Sequence, residues 1–241
     1  MGTLTERVVI VGGTSGIGLA TAQRLVDGGR EVVVTGRNTA KLEKALEQLG
    51  KNASGQPVDA RDPQALTAFF AGLGPIHHVV VTVTGEPGTK AFAELEAADL
   101  REGVEGKLQP HTMTARAALP VLEKGGSITF ITAASAGAAM PGTAALAAVN
   151  AGIEAMVPVL AVELAPVRVN AVSPGIVDTG WWDFLGEART ETFAQLASGT
   201  PAGRVGEPAD IASAIGFLID NTFTTGVVLR VDGGARLASP A

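Results

Sequence analysis

Val8-Val9-Ile10-Val11 running into Gly12-Gly13-Thr14-Ser15-Gly16-Ile17-Gly18 is the stretch that decides the fold. The β-branched run suits a strand buried on both faces, and Ile17–Asp27 behind the glycines has the apolar spacing of a helix. Glycines let the main chain turn sharply and approach an anionic group with no Cβ in the way. The first N–H groups and the positive dipole end of the helix then face that anion. The same residues would serve a plain strand-to-helix turn; at the first such junction of an alternating chain they point to the pyrophosphate of a dinucleotide.

Outward from this turn, short β-branched runs alternate with helix-period segments. Strands are predicted at Val8–Val11, Glu31–Thr35, Gln56–Val58, His78–Val83, Ser127–Thr132, Arg168–Val172 and Val227–Val231. Helices are predicted at Ile17–Asp27, Thr39–Leu49, Pro63–Ala71, Ala97–Leu122 and Thr143–Leu164, around Phe184–Ala197, and at Pro208–Ile219. Runs such as Val32-Val33-Val34 and Val79-Val80-Val81 are apolar on both faces, as in a parallel sheet covered by helices on each side. No repeat or linker divides the sequence, so residues 1–241 are expected to form one α/β domain around a seven-stranded parallel sheet.

The 241 residues are 46% hydrophobic and 17% charged, with a formal net charge of −6. A mild acidic excess without a block of Lys or Arg argues against a nucleic-acid or anionic-membrane partner, since both demand concentrated positive charge. Without cysteine there is no disulfide, thiolate nucleophile or thiolate ligand, and three histidines, two of them adjacent at His77 and His78, are a poor basis for a metal site. The polar start Met1–Arg7 has no signal-peptide flanks, and no apolar run is expected to approach the roughly 18 residues of a membrane span, so a cytoplasmic protein is expected. The chain contains no tyrosine, which removes the phenol from its chemistry.

The second strand ends in Val34-Thr35-Gly36-Arg37-Asn38. Folds that take NAD usually present an acid to the ribose 2′-hydroxyl at this place. Arg37 suits a 2′-phosphate instead, because its planar fork can pair with phosphate oxygens, so NADP(H) is expected over NAD(H). A solvated loop cation is the alternative. Asp59, after the third strand, stands where a carboxylate can reach the adenine amino group, or it is a surface turn residue.

Gly12-x-x-x-Gly16-x-Gly18, Asp59, a fourth strand leading to Gly85, Arg168-Val-Asn-Ala-Val-Ser-Pro-Gly175 with Thr179, and Val231-Asp-Gly-Gly234 follow in this order. Over nearly the whole chain this resembles the short-chain dehydrogenase/reductase family. The resemblance implies a doubly wound Rossmann sheet, a nicotinamide dinucleotide across the carboxyl ends of the strands, and a homotetramer or homodimer. It places the cofactor on Gly12, Thr14, Ser15, Gly16, Ile17 and Gly18 of the turn, with Arg37 and Asn38 at the ribose and Asp59 at the adenine. Thr82, Thr84 and Gly85 follow after the fourth strand, and Pro174, Gly175, Ile176 and Thr179 hold the nicotinamide end.

Family members carry a Ser on the loop after strand five, a Tyr and a Lys four residues apart on one face of the next helix, and an Asn on the helix before strand five. The ammonium lowers the phenol pKa, and the phenol protonates the carbonyl oxygen. Counting along this chain puts Ala133, Leu146, Asn150 and Lys107 at the Ser, Tyr, Lys and Asn positions. Lys and Asn have thus exchanged places: Lys107 is expected to bring its charge, and Asn150 a bond to a ribose hydroxyl, from opposite helices across a bound water. A drifted site with Lys107 reaching solvent is the alternative.

His111, one turn beyond Lys107, would line the same cleft or lie on the helix surface. Pro110 has no N–H for the Gly106 carbonyl, which predicts a kink at Lys107. Gly180-Trp181-Trp182-Asp183-Phe184-Leu185 reads as a lid of apolar bulk over a substrate cleft, or as a subunit contact. Two functions follow. One is an NADP(H)-dependent oxidoreductase of a small, apolar carbonyl or alcohol, with a proton donor other than tyrosine. The other is an NADP-binding protein without turnover, a redox sensor or inactive partner subunit.

Overall fold

Alternation along the strands divides the core in two. Val9 and Val11 of the first strand pack with Leu66, Phe70, Phe130 and Ile153 on one face, while Val8 and Ile10 pack with Leu25, Val34 and Ile215 on the other. Side chains of period two, apolar at every position, need helices on both sides, and that is the architecture. The computed structural model describes residues 5–85 and 89–237, so residues 1–4 of the polar start lie outside the described residues. The strands are β1 (Arg7–Val11), β2 (Glu31–Gly36), β3 (Ala53–Pro57), β4 (Ile76–Val81), β5 (Leu122–Ile131), β6 (Arg168–Pro174) and β7 (Val228–Val231). All pair in parallel in the order β3-β2-β1-β4-β5-β6-β7, with Val9 opposite Val33 and Val79.

Helices α1 (Gly16–Asp27) and α2 (Thr39–Leu49) cover one face together with α8 (Pro208–Asp220). On the other lie α3 (Pro63–Ala71), α5 (Gln109–Ala118) and α6 (Ala144–Glu163); α4 (Ala97–Gly103) leads into α5, and α7 (Arg189–Ser198) follows β6. The chain winds from β1 outward to β3, then returns to the other side of β1 for β4 and winds outward to β7. In a doubly wound Rossmann sheet of this kind the ligand crevice opens at the carboxyl ends of the strands where the order reverses, here between β1 and β4.

Several boundaries correct the sequence reading. The single helix expected over Ala97–Leu122 is broken: a π-helical turn spans Val104–Leu108 between α4 and α5, a 3-10 turn spans Leu119–Val121, and Leu122 already belongs to β5. Pro110 accounts for the break. It cannot donate to the Gly106 carbonyl, and the neighbouring Gln109 N–H reaches back to the Val104 carbonyl instead. The strand expected at Gln56–Val58 runs over Ala53–Pro57, and the one expected at His78–Val83 runs over Ile76–Val81. Finally, α6 is 20 residues long with a mean hydropathy of 1.8, enough by length and composition to cross a membrane, contrary to the expectation that no run comes close. Its Ile153 and Val157 are fully buried against the sheet, and it carries Asn150 and Glu154.

Candidate functional site

The glycine turn closes the carboxyl end of β1. Gly12 has φ +94°, a conformation L side chains rarely adopt, and a Cβ there would meet Thr82 Oγ1 at 2.6 Å. At Gly18 a Cβ would meet the Gly12 carbonyl oxygen at 2.2 Å, so α1 starts as close to the turn as backbone allows. Ser15 caps α1 without a side-chain bond to its first turn, and that turn holds no acid. Its N–H groups are therefore left for an anion. Gly36, at the end of β2, lets Thr14 fold over it: a Cβ would lie 2.9 Å from the Thr14 side chain.

Across the crevice, Thr82 donates from its backbone N–H and its hydroxyl to the Val11 carbonyl, at 2.8 and 3.1 Å. Thr84 is exposed and Gly85 sits against the backbone of Gly106 in the π-turn. Pro174 ends β6 opposite Val231, Gly175 turns against Asp232, the Ile176 carbonyl accepts from Gly206 N–H, and Thr179 packs where a Gly16 Cβ would be, 3.3 Å away. The glycine turn, the end of β4 and the loop after β6 thus meet around one crevice.

Arg37, Asn38 and Asp59 lie exposed at the carboxyl ends of β2 and β3. Asn38 spends its side-chain oxygen on the N-terminus of α2, accepting from Lys41 N–H at 2.9 Å. Asp59 likewise accepts from Arg61 N–H at 2.9 Å. Arg37 makes no hydrogen bond or ion pair among the described residues.

Lys107 does not reach solvent. It is 8% exposed, and its Nζ donates to the Thr132 carbonyl at the end of β5 at 3.3 Å. Burial pulls its pKa down to about 8, with the Glu154 carboxylate acting the other way. Asn150 is buried on α6; its Nδ2 donates to Ser135 Oγ at 3.2 Å and to the Leu146 carbonyl at 2.9 Å, while its Oδ1 is buried without a partner. Lys107 and Asn150, expected to face each other, turn to different partners. The orphaned Oδ1 fits a hydroxyl donor such as a ribose.

His111 occupies neither of the places expected for it. It is fully buried, with Nδ1 2.9 Å from the Lys107 carbonyl oxygen and Nε2 3.1 Å from that of Ile131. Burial and the Lys107 charge hold its pKa down to about 3, so the neutral ring has one N–H to give to the two carbonyls. Sequence reading missed Thr132, Ser135 and Glu154. Thr132 Oγ1 donates to Glu154 Oε1 at 2.9 Å. Glu154 stands one turn after Asn150 on a helix whose only other acid is Glu163, a signal open to inspection.

Beyond Thr179 the expected lid forms a 3-10 segment, Gly180–Ala188. Trp181, Trp182 and Phe184 pack edge-on or stacked with centroids 4.7–5.9 Å apart, and Trp182 Nε1 donates to the Val177 carbonyl at 3.0 Å. Arg189 fastens this segment through Asp178, Asp183 and the Thr179 carbonyl.

A family model described as enoyl-(acyl carrier protein) reductase matches residues 11–236. The short-chain dehydrogenase/reductase ATR9 of Stachybotrys chlorohalonatus is 30% identical over 247 residues, covering 96% of this chain and 97% of its own. Among solved structures, a small-chain dehydrogenase in complex with NADPH superposes with a TM-score of 0.82 at 30% identity, over 97% of this chain and 100% of that one. A short chain oxidoreductase from Pseudomonas aeruginosa PAO1, described as containing an atypical catalytic center, superposes with a TM-score of 0.88 at 31% identity over 98% of both chains. Likeness of this extent, in sequence and in sheet, covers nearly the whole chain: the chain belongs to the short-chain dehydrogenase/reductase family of oxidoreductases.

Proposed function

We propose that this chain is an NADP(H)-dependent oxidoreductase of a small, apolar carbonyl or alcohol, with Lys107 as proton source where the family uses a phenol. In this reading Ala133, Leu146, Asn150 and Lys107 replace the family's Ser, Tyr, Lys and Asn. The observation that carries it is a lysine buried at the carboxyl end of β5 in a chain without tyrosine. The relative solved with NADPH, and the relative described by its atypical catalytic center, support it from outside the chain.

A nicotinamide dinucleotide, when bound, supplies the hydride. The N–H groups at the start of α1 take the pyrophosphate, Arg37 the 2′-phosphate, and the unpartnered Asn150 Oδ1 a ribose hydroxyl. Lys107 Nζ holds the proton that the carbonyl oxygen takes up. With its pKa drawn down to about 8, the ammonium is charged near neutral pH yet gives up a proton far more readily than a solvated lysine. Trp181, Trp182 and Phe184 supply apolar wall and exclude water. The reading extends to a homodimer or homotetramer, supported by Val159 and Val162 of α6, which are 61% and 81% exposed.

A second reading, cofactor binding without turnover, is favoured by one observation: the Lys107 ammonium and the amide nitrogen of Asn150 already donate to partners within the protein. Fluorescence titration with NADPH and NADH, followed by carbonyl and alcohol panels on wild type and Lys107→Met, separates the two. We expect turnover with NADPH and its loss by about 10²–10³ in Lys107→Met. A variant as active as wild type removes Lys107 from the chemistry, and tight NADPH binding with no turnover on any panel favours the second reading.

A further inference from the structure

We infer that Glu154 is the positioning residue of this site: acting through Thr132, it keeps the Lys107 ammonium charged and held at the carboxyl end of β5. The inference rests on Lys107 as the proton source and adds the group that governs it. One residue joins the two charges, because the Thr132 carbonyl accepts from Lys107 Nζ at 3.3 Å and the Thr132 hydroxyl donates to Glu154 Oε1 at 2.9 Å. The cation comes from the π-turn before α5 and the carboxylate from the middle of α6, so the end of β5 is clasped from two helices. A carboxylate set half-buried in a helix otherwise rich in Ala, Val and Leu is costly to desolvate unless a cation compensates it.

Other charged groups near Lys107 do not compete for this part. His111, from α5, is kept neutral by burial and by Lys107 itself. Arg61 and Glu102 pair with each other at 2.6 Å against Gly106, on the flank of the π-turn. The crossing end of β5, Phe130 to Thr132, and the segment Thr82–Gly85 after β4 contain no titratable side chain. Burial disfavours the charged form of Lys107; Glu154 is the anion that opposes it.

The test reads Lys107 directly. The chain has six lysines, so in protein carrying ¹³C-labelled lysine the Lys107 signal is identified by its loss in Lys107→Met. Glu154→Gln is expected to lower the Lys107 titration midpoint by about one pH unit or more, Glu154→Asp to restore it in part, and the pH dependence of turnover to move with it. If the side chain at position 154 merely fills space, Glu154→Gln leaves the midpoint where wild type has it, and that result overturns the inference. If Glu154→Gln does not fold, Thr132→Val removes the hydroxyl that ties the carboxylate while keeping the carbonyl. An unchanged midpoint there is equally fatal. Failure of the proton-source reading is separately visible, as a fully active Lys107→Met protein whose Lys107 midpoint in the parent still responds to Glu154.

Discussion

Arg37 stands exposed at the carboxyl end of β2 without a hydrogen bond or ion pair among the described residues, so the proposed 2′-phosphate contact would break none. Arg37→Ala is expected to weaken NADPH binding by roughly 1.5–3 kcal/mol, about 10- to 160-fold, and to leave NADH nearly unchanged. Paired dissociation constants check it, and an equal loss for both cofactors would contradict the 2′-phosphate contact. At this scale the sequence was informative wherever backbone decides the matter: the glycines at 12 and 18 sit where no Cβ fits. It was uninformative about direction. Position 107 shows a lysine, but whether that lysine turns to solvent, to Asn150 or to Thr132 depends on packing between elements far apart in the chain. For the same reason His111 reads as a helix-surface or cleft residue and proves to be wedged between the carbonyls of Lys107 and Ile131.

Elements were legible where periodicity is strong and illegible at breaks. The π-turn follows from Pro110, whose missing N–H is visible in the sequence; which carbonyl Gln109 then chooses is not. β3 lacks β-branched residues and pairs with β2 alone, so its extent is set by backbone pairing at an edge that leaves little trace in side-chain pattern. The aromatic bulk of the segment Gly180–Ala188 was visible in the sequence, whereas its fastening was not: Arg189 joins Asp178, Asp183 and the Thr179 carbonyl from the far end of the segment and lies 5.3 Å from the Phe193 ring centre. Both tryptophans of the chain are here, so intrinsic fluorescence reports this element alone. Arg189→Met is expected to shift the emission to longer wavelength and raise quenching by acrylamide, with the far-ultraviolet circular dichroism unchanged. Emission identical to wild type would mean that the aromatic cluster holds the segment in place without the ion pairs.

For the whole molecule, consecutive valines in β1, β2 and β4 demanded cover on both faces of the sheet, which a parallel α/β arrangement supplies, so the layers could be read before any contact was known, while the double winding, as against a closed barrel, was implied by the family resemblance. The polar groups enclosed by that cover were not legible, and they set how stability responds to pH. His78, on β4, has Nδ1 2.8 Å from Ser127 Oγ and Nε2 3.7 Å from Glu6 Oε2; burial pulls its pKa down to about 4, with Arg168 and Arg30 adding to the fall and Glu6 opposing it. His111 is held down to about 3. Both native values lie below the roughly 6.5 of an unfolded histidine, so between those limits the unfolded chain binds protons that the native protein does not. Stability from these residues is complete above about pH 6.5 and is lost as pH falls toward 4, on the order of 1–2 kcal/mol for each between pH 7 and 5. Lys107 adds no slope in this window, because with a native pKa of about 8 it is charged in both states. Urea unfolding at pH 7 and pH 5 should therefore give a lower midpoint at pH 5, and His78→Gln should flatten the difference even if it costs stability at both. A difference about half that expected from two rings would mean that one of the buried rings is protonated in the native protein at pH 5, and equal midpoints that both are. His111 would be the ring to suspect, since its two nitrogens face two carbonyl oxygens and only the imidazolium could donate to both.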